Sequence, residues 1–137
     1  MNDGINENYI TLKFSDFEFP PEILTKKLNL DPTHTALLGE TRGKTILKWN
    51  SNMWSYEEFI KTNDFIGDLV KNFISRIITP RLKEIKVLTD AHYGELSIVQ
   101  YYYSGWNPGY HFSKGILSVI NKTGLDIDID TYCLSET

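Results

Sequence analysis

Near the C-terminal end, in the run Leu125-Asp-Ile-Asp-Ile-Asp-Thr-Tyr132, Leu125, Ile127 and Ile129 alternate with Asp126, Asp128 and Asp130. Only an extended strand sends successive side chains to opposite faces, so this run predicts a strand with one buried and one wet face. The residues before it, from Gly94, read as a strand, an aromatic turn and a helix. The last third of the chain is therefore expected to be strand, turn, helix, strand. That pattern constrains architecture and leaves chemistry open, because no motif in the chain demands a reaction, a metal or a nucleotide.

Other segments carry the same kind of signal. Tyr9 to Phe14 alternates, with Ile10, Leu12 and Phe14 on one side and Tyr9, Thr11 and Lys13 on the other. Pro20-Pro21 ends that strand, and Ile23, Leu24 and Leu28 predict a short helix running to Asn29. Asp31 to Thr33 reads as a loop, with His34 to Lys44 irregular. Lys44 to Trp49 is expected as a strand, with Met53 to Tyr56 returning as its hairpin partner across Asn50-Ser51-Asn52. Phe65, Ile66, Leu69, Val70, Phe73, Ile74, Ile77 and Ile78 form a wide helical stripe, capped in expectation by Asn63. Thr79-Pro80 should break it and start a second helix with Leu82, Ile85 and Leu88 inside. Glu95 to Tyr103 carries apolar bulk on both faces, which predicts an interior strand. Ser113 and Gly124 bracket a helix holding Ile116, Leu117 and Ile120.

Helices with one apolar stripe and strands with one wet face predict an α+β fold. The expected form is a two-layer sandwich, an antiparallel or mixed sheet with helices mainly on one face. A length of 137 residues suits one domain, expected over residues 9–137 behind a flexible tail of residues 1–8. Net charge −4 argues against nucleic acid as a partner, since phosphate binding draws on surplus Lys and Arg. The single cysteine, Cys133, cannot form an intramolecular disulfide, and the polar start of the chain lacks the basic and apolar parts of a secretory signal. No apolar run approaches the ~18–20 residues a membrane span needs. A cytoplasmic location, with no membrane partner, is expected.

Apparent motifs dissolve under their own geometry. Gly39-Glu-Thr-Arg-Gly43-Lys44-Thr45 has three residues between its glycines where a phosphate-binding P-loop needs four, and it leads into a predicted strand rather than a helix. Asp126, Asp128 and Asp130 lack the glycine and glutamate of a calcium loop. His34, His92 and His111 show no ligand spacing. No cofactor, metal site or catalytic residue is therefore expected. The aromatic run is the stronger signal. Tyr101, Tyr103, Trp106 and Tyr110 surround a Gly-Pro loop, and Tyr and Trp combine large contact area with little rotamer entropy to lose. The alternative is that these rings pack within the core.

The order of these pieces over Tyr9 to Leu134 resembles the bacterial family known as domain of unknown function 4279. The features that carry it are Tyr9-Ile-Thr-Leu-Lys-Phe14-Ser-Asp-Phe, the stretch from Pro21-Glu-Ile23-Leu24 to Leu30-Asp-Pro32-Thr33, the Gly39 segment, Trp49, the two-helix middle, and Leu125 to Tyr132. The resemblance implies a small soluble α+β domain and brings no catalytic residues. By analogy of size and charge, compact acidic bacterial proteins often act as immunity or antitoxin partners. The first expectation for function is a non-enzymatic module that binds a protein through Tyr101, Tyr103, Trp106 and Tyr110, with Asp126, Asp128 and Asp130 supplying complementarity to a basic partner. A small-molecule binder using the same aromatics as a cleft comes second. An enzyme, needing His92 or His111 beside a carboxylate, comes third.

Overall fold

The alternation at Tyr9 to Phe14 becomes strand β1 (Glu7–Phe17) in the computed structural model, which describes residues 3–103 and 108–134. Around it stand β2 (His34–Ala36), β3 (Asn52–Lys61), β4 (Tyr93–Tyr102) and β5 (Asp126–Cys133), in the order β2-β3-β1-β4-β5. Neighbours are antiparallel except β4 and β5, which are parallel. The helices are α1 (Glu22–Leu28), α2 (Ile66–Phe73), α3 (Leu82–Ala91) and α4 (Lys114–Thr123). Parallel neighbours require a crossover connection, and α4 supplies it.

One face of the mixed sheet is buried. Ile10, Leu12 and Phe14 of β1, Trp54 of β3, and Leu96 and Ile98 of β4 form a single core with Leu24, Val70, Phe73, Ile85 and Ile120 of the helices. Each fully buried side chain of this size contributes about 1.5–3 kcal/mol. The α+β arrangement with helices on one face is as the patterning implied. Trp54 adds a hydrogen bond, donating from Nε1 to Thr25 Oγ1 at 3.0 Å, which ties β3 to α1.

Several local expectations are corrected. β1 starts at Glu7, and Asn6 before it is buried, because its side chain accepts from Tyr103 N and its backbone N–H donates to Asn63 Oδ1. That bond occupies Asn63, so α2 begins after Phe65 with no side-chain cap. Lys44 to Trp49 forms no strand. The chain from Gly39 closes locally instead, through the bridge Thr41–Lys48 and the bonds Gly39 N to Trp49 O and Trp49 N to Glu40 O. Ile46 and Leu47 are left exposed, since that excursion lies outside the sheet. The return strand is long, and it pairs with β1 on one side and with the short β2 on the other.

Pro80 does not break the helical path. A wide turn over Ile74–Ile78 and a tight turn over Thr79–Arg81 carry the right-handed backbone from α2 into α3. Proline lacks an N–H and its ring crowds the carbonyl four residues earlier, so the helix changes its winding there instead of ending. Thr79 makes no capping bond. Arg81 holds the junction by donating to the carbonyls of Leu28, Asn29 and Ile77 at 2.7–3.2 Å. Leu117, expected inside, is exposed on α4. The α4 caps are as expected: Ser113 Oγ accepts from Ile116 N at 3.2 Å, and Gly124 takes φ +72°.

Glu58 links β3 to the wide turn, accepting from Arg76 at 2.6 Å and from Tyr56 Oη at 2.7 Å. Burial pushes its carboxyl up, but the bonds from Arg76 and Tyr56 outweigh that and hold it below its usual value near 4.5. A carboxyl lowered by folding stabilises the fold above its unfolded value, and the contribution disappears as pH falls through the folded one. Chemical denaturation of Glu58→Gln should therefore show lower stability than wild type at neutral pH and a smaller loss on acidification below about pH 4.5. An unchanged acid dependence would remove this pair from the account. A Cβ at Gly124 would sit 2.5 Å from Thr89 Oγ1 in a left-handed backbone. Gly124→Ala is expected to cost about 2 kcal/mol in urea denaturation.

Candidate functional site

The face of the sheet turned away from the helices carries the most distinctive surface. Strand register lines its residues into rows. Lys61, Glu7, Tyr101 and Tyr132 lie across one row, and Phe59, Tyr9, Val99 and Asp130 across the next. Glu57, Thr11, Ser97 and Asp128 follow, then Ser55, Lys13, Glu95 and Asp126. The first two rows interlock through their rings. Phe59 and Tyr9 are 4.9 Å apart, Tyr9 meets Tyr101 edge-on at 6.1 Å, and Tyr101 stacks on Tyr132 at 5.1 Å. Four strands thus share one aromatic band. Its ends stay accessible, with Phe59 52% and Tyr132 46% exposed.

The band is bordered by negative charge. Glu7, Glu57, Glu95, Asp126, Asp128 and Asp130 share this face with Lys13 and Lys61. Lys61 is already engaged with Asp3 at 2.9 Å. The remaining potential favours a cationic ligand, and the ring faces offer cation–π contacts to Lys or Arg.

The residues singled out from sequence are thereby sorted. Tyr101, Asp126, Asp128 and Asp130 come together on this open face. Tyr103 lies at its border, half-buried, with its hydroxyl 3.5 Å from Glu7 Oε2. Desolvation and the charge of Glu7 raise its pKa. Trp106 falls outside the described residues. Tyr110 belongs to the other layer: it packs against the core beside Phe112, and its hydroxyl is buried with no partner among the described residues. Burial pushes that hydroxyl up to about 12. Tyr9, Phe59 and Tyr132 were missed. Tyr9 and Tyr132 stood in the sequence as single aromatic residues on the polar side of expected strands, and Phe59 lay beyond the strand expected over Met53 to Tyr56, so each was a weak signal until its neighbours were known.

Beneath the band, on the helix side, a buried amide bridge spans three strands. Asn8 Nδ2 donates to the carbonyl of Ile60 at 2.9 Å, and Gln100 Nε2 donates to Asn8 Oδ1 at 3.0 Å. Gln100 Oε1 is buried without a partner among the described residues. Two shallow cavities lined by described residues lie in the helical layer. One of about 250 Å³ is lined by Lys27, Leu28 and Arg81, and one of about 190 Å³ by Phe65, Lys71, His111 and Ser113. Both are smaller than the ~300 Å³ at which small-molecule sites begin. His92 Nδ1 donates to the carbonyl of Asp16 at 3.1 Å, and its ring packs on Phe17 and Phe19. Among the described residues neither His92 nor His111 has a carboxylate within ion-pair distance. No group of three His, Cys, Asp or Glu among them is arranged to hold a metal ion, and among the described residues no helix is long and apolar enough to cross a membrane.

With this architecture in place, comparison with protein families is decisive for kinship. The family model described as domain of unknown function, DUF4279, matches residues 6–134. The chain belongs to that family. The match spans every strand and helix named above, from β1 to β5. Comparisons with curated proteins and with solved structures found no match. Membership therefore agrees with the resemblance noted in the sequence and assigns no activity.

Tyr110 offers a direct check of the sorting. Removing a buried hydroxyl that bonds nothing relieves a desolvation cost. Tyr110→Phe should leave thermal stability unchanged or raise it by up to about 1 kcal/mol. A clear loss of stability would mean that the hydroxyl bonds a group outside the described residues.

Proposed function

We propose that this domain is a cytoplasmic, bacterial, non-enzymatic module that binds a basic protein on the open face of its sheet. The observation that carries the reading is the aromatic band Phe59–Tyr9–Tyr101–Tyr132 beside Asp126, Asp128 and Asp130. Aromatic rings supply rigid contact area, and a rim of carboxylates steers and orients a cationic partner. Cross-strand ring pairs also stabilise a sheet, but that role does not require the band's ends to remain half exposed or six carboxylates to share the face with two lysines. An immunity-type role, in which this face masks a basic toxin, is the concrete form. The single cysteine is compatible with a reducing compartment.

Affinity capture from native lysate tests this with three folded proteins: wild type, Phe59→Ser/Tyr132→Ser, and Lys83→Glu on the exposed side of α3. A specific partner should be held by wild type and by Lys83→Glu, and lost at least about tenfold in the double variant. Added salt should weaken it further, since the steering charges are exposed. Equal capture by the double variant would move the site off this face.

A further inference from the structure

The acidic face ends at an open sheet edge. β5 pairs with β4 on one side, and among the described residues nothing pairs with its other side. Alternate residues of this eight-residue strand turn their N–H and C=O groups outward, and the strand is exposed along most of its length. Edges of this length invite another strand and are normally blunted or covered. β5 contains neither proline nor lysine. Its protection is a row of like charges, because Asp126, Asp128 and Asp130 all stand on one face.

That row selects the occupant. A second copy pairing antiparallel through a two-fold axis would set aspartates opposite aspartates, which disfavours the pair. A strand with Lys or Arg at every second position would set cations there instead. Its intervening residues would face the side of Ile127 and Ile129, where Ile129 is 39% exposed. Tyr132, stacked on Tyr101 and half exposed, offers a ring face to a cation at the end of the row. We propose that β5 takes up, by strand addition, an extended segment of a partner protein in which basic and apolar residues alternate. The proposal rests on the protein-binding reading above and specifies its mode: backbone pairing supplies affinity, and the aspartate row supplies selectivity.

The test uses the full chain and an eight-residue peptide of alternating lysine and valine, titrated by calorimetry. Two further peptides carry N-methyl groups, one on every lysine and the other on every valine. The added strand is taken to run antiparallel to β5, the more stable pairing, and in that direction, with lysines on the aspartate face, only one of these two sets of N–H groups points at β5. Strand addition therefore requires one methylated peptide to bind about tenfold more weakly or worse, and the other to bind like the parent. Amide exchange should slow within Asp126–Cys133 when the parent binds. Asp128→Lys/Asp130→Lys should lose the lysine peptide and gain the matching glutamate–valine peptide. Equal binding of all three lysine peptides, with loss in the charge-reversed variant, would overturn strand addition and leave the acidic surface intact. Unchanged binding in that variant would overturn both, as would no binding of the parent peptide to wild type.

Discussion

Everything in this domain is arranged around β1. It is paired on both sides, to β3 and to β4, over most of its length. Every second side chain of its central part, Ile10, Leu12 and Phe14, is completely buried against the helical layer. Because side chains alternate strictly along a strand, that burial forces Tyr9, Thr11 and Lys13 onto the opposite face. The open face is thus the unavoidable other half of the core. What evolution can vary is its chemistry, and here it is aromatic and acidic.

The helical layer is fastened to the sheet by a few polar contacts in addition to apolar packing. Trp54 reaches Thr25 on α1, Glu58 reaches Arg76 on the wide turn, and Arg81 collects carbonyls from α1 and from that turn. Arg81 is the economical element, since the C-terminus of one helix and a rewound stretch of another both leave carbonyls in need of donors. At the opposite end of the core, Asn8 and Gln100 cross-link three strands by side-chain amides. A buried amide costs free energy unless bonded, so this bridge constrains register: a slip of β1 against β4 would leave both groups unpaired.

Much of this was legible in the sequence, for identifiable reasons. Ser113 with Gly124 and the stripe from Ile66 to Ile78 are local signals that tertiary structure had no cause to override; the Ile-Asp alternation did give a strand, but at the sheet edge the expected buried face is only partly covered and Ile129 is exposed. The failures are equally local in origin. Asn63 looked like a helix cap and became a partner for Asn6, far away in sequence. Lys44 to Trp49 looked like a strand and found no edge, because β3 was already flanked on both sides. Pro80 looked like a stop, and the chain instead rewound across it. The aromatic cluster was assembled wrongly from sequence: Tyr110, close to Tyr101 along the chain, lies in the other layer, whereas Phe59 and Tyr9, distant along the chain, are its true neighbours.

By itself, the sequence determined which residues form strands and helices at the strongly patterned segments, that each sheet face differs in polarity, and that the protein is acidic. Those properties follow from side-chain period and composition, which depend on near neighbours alone. Tertiary structure decided the order β2-β3-β1-β4-β5, and with it which faces and edges are shared. Strand order depends on contacts between distant segments, and no local pattern encodes them. Only that order brings Phe59, Tyr9, Tyr101 and Tyr132 into one band, sets the aspartates beside it, and leaves β5 at the edge.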